Sequence, residues 1–353
     1  MQKNIFPVPA TSRFCASLLL LASLVFFNGC SGFSHLTTVD NQAAIGPSAA
    51  DCGACHVAQY NEWKGSAHNR AYTDQIYREA TGDYEEESCL ACHIPESIMA
   101  DELTSRNYSR ADGISCTSCH LAKGTMSGPH EGSALIYPHP VKAAPDFYAS
   151  SALCGICHKE TFASWKKSAA TAKSSPPVPG CQQCHMALVN RTSTQGTNIF
   201  SNALVSFEKK HTVRSHTLAL GSMPPLPDAF LVNPVVHKTT PLGSYQPAVS
   251  ITNRLPHNLP GSEYTESSVF LVITPENTAL PADLSSAIQI SDTDSPLLPG
   301  EEKHFTIHFD SFGHPLADHK RYTTQIVLRQ SGKTSPLTLF NAPTVFTGIE
   351  GIK

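Results

Sequence analysis

Five copies of a Cys-x-x-Cys-His motif lie between residues 52 and 185, and they constrain the fold more than any other feature of the chain. Each motif uses two cysteines, so the five motifs account for ten of the 12 cysteines. The first cysteine, the second cysteine and the histidine stand at i, i+3 and i+4, which share one face of an α-helix. The spacing therefore predicts a short helix at each motif. The motifs are Cys52-x-x-Cys55-His56, Cys89-x-x-Cys92-His93, Cys116-x-x-Cys119-His120, Cys154-x-x-Cys157-His158 and Cys181-x-x-Cys184-His185.

This spacing is the attachment pattern of a c-type haem, in which the two thiols bind the porphyrin covalently. The adjoining histidine then coordinates the iron from the proximal side. Two other interpretations fit less well. A zinc ribbon pairs one Cys-x-x-Cys with another and gives no reason for a histidine after each pair, and a disulfide framework is typical of shorter chains. The sequence therefore predicts five covalently bound c-type haems.

Residues 1–30 have the composition of an export signal. Lys3 and Arg13 are the charged residues there, and they are followed by an apolar run over 14–27 that is short for a membrane span. Cys30 follows Gly29, as in a bacterial lipoprotein signal, so we expect Cys30 to be lipidated and to anchor the chain in a membrane. The alternative is an ordinary secreted protein from which Cys30 is removed. Both predict an exported protein, either periplasmic or at the outer membrane or cell surface.

The overall charge gives no sign of nucleic-acid binding. The formal net charge is −4, and only 15% of the residues are charged, against about 25% in an average soluble protein. Packed porphyrins would supply apolar core that side chains otherwise provide. Residues 31–50 are small and polar, and we interpret them as a flexible tether.

An internal repeat links the first and fourth motifs at a constant offset of 102 residues. The aligned pairs after the motifs are Tyr60 with Phe162, Trp63 with Trp165, Ser66 with Ser168 and His68 with Ala170. Aromatic residues at this helical spacing favour packing against a porphyrin or an ordinary core. A histidine that could coordinate iron in the first copy is alanine in the second, so the fourth haem is the candidate for an open iron.

The composition changes after the last motif. Short β-branched runs separated by turn residues predict a β-sandwich-like domain, which gives an α+β protein. We divide the chain into a pentahaem domain of short helices and loops over residues 51–240 and a β-sandwich-like domain over 245–353. The predicted strands cover 248–252, 269–274, 287–290, 304–309 and 323–328.

Residues 50–190 resemble the multihaem cytochromes c related to hydroxylamine oxidoreductase and its tetrahaem electron-transfer partners. The resemblance is carried by residues 52–68, by Gly113-Ile-Ser-Cys-Thr-Ser-Cys-His120 and by Ser151-Ala-Leu-Cys-Gly-Ile-Cys-His158. It implies that His68 is a sixth iron ligand. More loosely, it implies distal ligands at His216 and His257. Two hallmarks of related enzymes are not visible, namely a motif ending in lysine and a tyrosine cross-link.

Seven histidines outside the motifs are candidates for the five distal positions, which permits bis-histidine coordination throughout and mostly low-spin haems. We rank His68, His139, His216 and His257 first and His130 or His211 next, with His237 also available. We expect His304 and His308 on a polar surface of the β domain, with His314 and His319 nearby, and His35 in the tether. Methionine is the other possible ligand, but no methionine has a pattern to support it.

The leading interpretation is electron transfer in the cell envelope, within a respiratory or extracellular chain, and it assigns no catalytic residue. The expected partners are redox proteins, either other cytochromes or a quinol-linked donor. Two alternatives stay open. One is an oxidoreductase acting on a small nitrogen or sulfur oxyanion at a five-coordinate haem, and the other is a subunit of an extracellular cytochrome filament.

Overall fold

The computed structural model describes residues 47–345 with several gaps. Within this described part, no helix is long and apolar enough to cross a membrane. Helices occupy the first half and sheets dominate the second, so the predicted α+β class is confirmed. The gaps are residues 85, 132–138, 140, 173–176, 197–201, 203–204, 207, 219–227, 239–244, 262–265, 278, 282–283, 285–286, 308–320, 332 and 334, together with the side chains of 235–238 and 245–247.

Short helices form at all five motifs, as the spacing predicts. Several begin at a side-chain cap, for example at Ser48, whose hydroxyl accepts from the Asp51 amide, and at Ser66, which caps the helix that carries His68. The helices are α1 (Ala49–Gly53), α2 (Val57–Lys64), α3 (Ala67–Arg70), α4 (Gln75–Ala80), α5 (Glu87–His93), α6 (Cys116–His120), α7 (Pro145–Ala149), α8 (Ala152–Gly155), α9 (Lys159–Thr171) and α10 (Cys181–His185), with a 3₁₀ turn at Arg110–Asp112.

Segments that connect or follow these helices pair into two small sheets. The first contains β1 (Leu121–Ala122), β2 (Thr125–Gly128) and β3 (Lys142–Ala143), in that order. The second is the antiparallel pair β4 (Leu188–Arg191) and β5 (His211–Arg214). The second pair brings the chain from the fifth motif back towards the first, because Gln195 donates its amide to the carbonyl of Cys55.

The second half contains two antiparallel sheets, one of three strands and one of four. The three-stranded sheet has the order β10-β7-β6 and the four-stranded sheet has the order β12-β11-β8-β9. The strands are β6 (Phe230–Lys238), β7 (Tyr245–Asn253), β8 (Ser267–Pro275), β9 (Ile288–Asp292), β10 (Glu302–Thr306), β11 (Tyr322–Gln330) and β12 (Leu337–Thr344). All five predicted strands appear, although residues 308 and 309 of the fourth lie outside the described residues.

The inner faces of the two sheets form one hydrophobic core. Val249 and Ile251 of the first sheet lie in the same cluster as Leu271 and Ile326 of the second, and all four are fully buried. Strand β6 pairs with β7 along its whole length, so the sheet begins earlier than the expected boundary near residue 245. The run Phe230–Lys238 contains Pro234, which obscured it as a strand.

Because this core is tightly buried, we expect truncation of a buried leucine in the β half to lower the free energy of unfolding much more than truncation of an exposed one. Leu271→Ala should lower the free energy of unfolding by about 2–5 kcal/mol, because it removes a fully buried side chain and leaves a cavity. Leu231→Ala, at a position that is 44% exposed, should cost less than about 1 kcal/mol. Denaturant unfolding followed by circular dichroism measures both, and equal losses would contradict this core.

Candidate functional site

Four of the five motif histidines lie opposite a second histidine, and the distance is nearly constant. A metal ion held between two imidazoles, at about 2 Å from each nitrogen, separates the ring centres by roughly 6 Å. The arrangement therefore fits an iron between each pair of rings. The centroid distances are 6.2 Å for His56 and His139, 6.1 Å for His68 and His158, 6.1 Å for His120 and His216, and 6.3 Å for His185 and His257.

Hydrogen bonds to backbone carbonyls fix the orientation of several of these rings. The Nδ1 of His56 donates to the Ser193 carbonyl at 2.8 Å, and that of His120 donates to the Ser127 carbonyl at 2.9 Å. The distal His257 donates in the same way to Asn258 at 2.9 Å. A carbonyl oxygen only accepts, so the proton resides on Nδ1 and leaves Nε2 free to coordinate a metal.

Burial keeps several of the paired imidazoles neutral. Loss of solvent, together with the neighbouring His158, lowers the pKa of His68 to about 4. Burial also lowers the pKa of His185 and of His216 to about 4. A neutral imidazole is the form that binds a metal, so these side chains need no deprotonation at neutral pH.

His93 of the second motif has a different environment. Among the described side chains, the His93 ring stacks on Tyr77 and does not lie opposite a histidine. The centres of the His93 and Tyr77 rings are 3.9 Å apart, and their planes differ by 13°. Its Nδ1 donates to the Ala71 carbonyl, as the other proximal histidines with carbonyl partners do. Tyr72 and Tyr84 pack around Tyr77. The second motif is therefore the one whose histidine faces no histidine in the described part of the chain.

The fourth motif does not lack a partner, contrary to the expectation drawn from Ala170. His68, which follows the first motif in sequence, lies opposite His158 of the fourth. Gly113 explains how the chain is held there. It has φ +57, and a side chain at this position would collide with the His68 carbonyl. The Ile114 amide donates to the same carbonyl at 2.9 Å, which fixes the helix turn that presents His68.

The remaining candidate histidines lie elsewhere. His130 and His211 contact each other edge to face at 5.9 Å and not a motif histidine, and His211 Nε2 lies 3.0 Å from the Ser193 hydroxyl. His237 is in β6, but its side chain lies outside the description. His304 is exposed on β10. His35, His308, His314 and His319 lie outside the described residues, as does Cys30 with the whole of residues 1–30 and the tether up to residue 46.

The ten motif cysteines form no disulfide with one another, and three close approaches between their side chains reveal which motifs are neighbours. The first motif meets the third, the second meets the fourth and the fourth meets the fifth, and α1 also packs against α6. Cys119 of the third motif lies close enough to both cysteines of the fourth to influence them electrostatically. The fourth motif therefore lies next to the second, third and fifth motifs. The cysteine side chains that approach each other are those of Cys52 and Cys116, of Cys157 and Cys92, and of Cys154 and Cys181.

Two residues that the sequence did not single out support the third motif. Tyr148 stacks on His120 at 5.3 Å, and its hydroxyl lies 3.0 Å from the Ser127 carbonyl that also accepts from His120. Arg106 is only 2% exposed. All five of its N–H groups donate to oxygens, four of them carbonyls and the fifth the Ser118 hydroxyl within the motif. No spacing pattern points to either residue, because Arg106 acts from a loop and Tyr148 from the short helix α7.

The chain is similar to known cytochromes over part of its length. Residues 51–121 match the family described as cytochrome c554 and c-prime. The chain is 26% identical to cytochrome c-554 of Nitrosomonas europaea over 147 residues, which is 35% of this chain and 62% of that protein. A crystal structure of a penta-heme cytochrome c552 from Thermochromatium tepidum aligns with 84% of this chain and 99% of its own, at 13% identity and a TM-score of 0.43.

Proposed function

We propose that this chain, a multihaem cytochrome c, transfers electrons through five covalently attached c-type haems in the cell envelope. The observation that carries the proposal is the set of four histidine pairs at 6.1–6.3 Å, each containing one motif histidine. When bound, each haem supplies one-electron chemistry between ferric and ferrous iron. The protein's own residues would hold the porphyrins in place and supply histidine ligands to their irons.

The residues divide into three roles. The ten motif cysteines would attach the porphyrins, and the five motif histidines would coordinate their irons. His139, His216, His68 and His257 would supply the second histidine ligand at the first, third, fourth and fifth motifs. An iron with two histidine ligands has no position for a substrate, and this coordination favours a low reduction potential relative to histidine with methionine.

The neighbour relations among the motifs support a continuous path. The thiol contacts link the first motif to the third and the fourth to both the second and the fifth, and the electrostatic influence of Cys119 joins the third to the fourth. No motif is isolated from the others. Such a series fits a carrier that accepts electrons at one haem and delivers them from another.

The second candidate function is an oxidoreductase that acts at the second motif. His93 faces no histidine among the described side chains, so an iron bound there would keep a position for a small nitrogen or sulfur oxyanion. This candidate replaces the fourth motif, which the sequence favoured, with the second. The stacked Tyr77 and the Ala71 carbonyl would hold His93 in place on the proximal side.

One experiment separates the two functions. A pyridine haemochrome assay on the purified protein should give five haems per chain. Electron paramagnetic resonance of the oxidised protein should then show four low-spin haems and one high-spin haem. If cyanide, nitrite or hydroxylamine changes the high-spin signal alone, the second motif has an open iron. Five low-spin haems would contradict the oxidoreductase, and several high-spin haems would contradict the histidine pairs.

The cellular setting is part of the proposal. The apolar segment at 14–27 and Cys30 support an exported protein that is lipid-anchored, with redox partner proteins in the periplasm or at the cell surface. Mass spectrometry of the mature N-terminus tests the anchor. A lipidated Cys30 supports it, and an unmodified start beyond Cys30 contradicts it.

A further inference from the structure

The two copies of the sequence repeat have the same local structure. In each copy the motif helix is followed by a second helix, α2 or α9, whose first aromatic side chain covers the glycine of the motif. A side chain at Gly53 would meet the Tyr60 ring at 2.6 Å, and one at Gly155 would meet the Phe162 ring at 2.5 Å. Each copy also makes one thiol contact with a later motif, the first copy with the third motif and the second with the fifth. The pair formed by the first and third motifs therefore corresponds to the pair formed by the fourth and fifth motifs.

The tryptophan of each copy holds the chain that enters the later motif. The indole Nε1 of Trp63 donates to the Ile114 carbonyl at 2.7 Å, and that of Trp165 donates to the Pro179 carbonyl at 2.9 Å. Each of these carbonyls belongs to the residue two positions before the first cysteine of the later motif. The tryptophans therefore act on the proximal side of the third and fifth motifs.

The residue just before each tryptophan holds the loop that carries the distal histidine. Glu62 accepts from the backbone amide of His216 at 2.8 Å and forms a two-point ion pair with Arg191 at 2.6 and 2.8 Å. Ser164, the aligned residue of the second copy, donates to the Asn258 side chain at 2.7 Å, next to His257. His216 and His257 are the rings opposite the histidines of the third and fifth motifs.

We propose that these two adjacent helix positions orient both histidines that would coordinate a neighbouring haem. Glu62 and Trp63 are positioning residues for the third motif, and Ser164 and Trp165 are positioning residues for the fifth. The inference rests on the proposed function, because it assumes haem at these motifs. The physical reason is that a carboxylate or hydroxyl and an indole N–H on one rigid helix fix two loops relative to each other.

The hydrogen bonds that hold the loop of the distal histidine differ in strength between the two copies of the repeat. Hydrogen bonds to charged groups are worth more than those between neutral groups, and the Glu62–Arg191 pair has side chains only 18–20% exposed. Removing the Glu62 charge should therefore loosen His216 more than removing the Ser164 hydroxyl loosens His257. The measurable consequence is how easily an added ligand displaces each distal histidine.

The experiment uses two reference variants to assign the signals. His216→Gly and His257→Gly, in the full chain with its haems, identify the low-spin resonances of the third and fifth motifs. Glu62→Gln and Trp63→Phe should then alter the resonance that His216→Gly removes. Ser164→Ala and Trp165→Phe should alter the resonance that His257→Gly removes. Cyanide affinity at the affected haem should rise about tenfold or more in Glu62→Gln and about fivefold in Ser164→Ala.

Matched controls come from the next aligned pair on the same helices. Lys64 and Lys166 are exposed and have the same offset from the first cysteine of their motifs, so Lys64→Gln and Lys166→Gln should leave all resonances and cyanide affinities unchanged. If Glu62→Gln does not fold, the Trp63→Phe spectrum decides the same point. If Glu62→Gln or Trp63→Phe has five haems and an unchanged spectrum, this inference is wrong but the proposed function stands. A change confined to the resonance of the fifth motif in these two variants would overturn the inference in the same way. Fewer than five haems in the wild-type protein would instead count against the proposed function.

Discussion

Replacing His68 with glycine is expected to convert one low-spin haem into a high-spin haem while leaving the haem count at five. His68 lies opposite His158 at 6.1 Å, and its removal leaves the fourth proximal histidine without that partner. The covalent bonds through Cys154 and Cys157 are untouched, so the haem stays attached. Electron paramagnetic resonance measures the change, and added imidazole should restore the low-spin signal because it can occupy the space left by the side chain.

His130→Gly is the matched control. His130 is exposed and contacts His211 rather than a motif histidine, so its removal should leave the spectrum unchanged. If His68→Gly retains all its low-spin signals, His68 is not a ligand of the fourth haem. A spectral change in His130→Gly of the same size would show that the assignment of distal histidines is wrong.

Replacing Arg106 with methionine is expected to destabilise the haem half by more than about 3 kcal/mol. Each buried oxygen that loses its donor costs up to about 1–3 kcal/mol, and Arg106 serves five of them. Its acceptors belong to the chain after the second motif, to the loop before the third motif and to the third motif itself. Thermal unfolding followed by the haem absorbance band measures the loss.

Arg78→Met provides the comparison. Arg78 pairs with Asp83 at the surface, where solvent screens the interaction, so little change in stability is expected. A lysine at position 106 would keep the charge but not the five donors. If Arg106→Lys were as stable as the wild type, the charge rather than the hydrogen bonds would stabilise this region.

Much of the local structure was predictable because it depends on short-range patterns. The five motif helices follow from the i, i+3, i+4 spacing, and the predicted strands follow from short β-branched runs between turn residues. Strands β6 and β12 were not predicted. Pro234 interrupts the first of them and Pro343 the second, and the pairing with β7 and β11 outweighs the local preference of proline against strands.

The supporting residues could not be found in the same way. Arg106 gives no sequence signal, since its role comes from five oxygens that meet only in the folded chain. Tyr148 and Tyr77 are likewise ordinary aromatic residues until the fold stacks them on His120 and His93. The sequence repeat did point to Trp63 and Trp165, but it did not show which carbonyls they reach.

The sequence by itself determined the five positions at which a c-type haem could attach, because attachment needs two thiols and a histidine within about one turn of helix. Only the tertiary structure decided which histidine faces which motif. The repeat suggested that the fourth motif lost its partner at Ala170, yet the partner is His68, brought across from the first copy by the loop at Gly113. The two members of each pair are distant in sequence, so their meeting depends on the packing of whole loops and not on any local spacing.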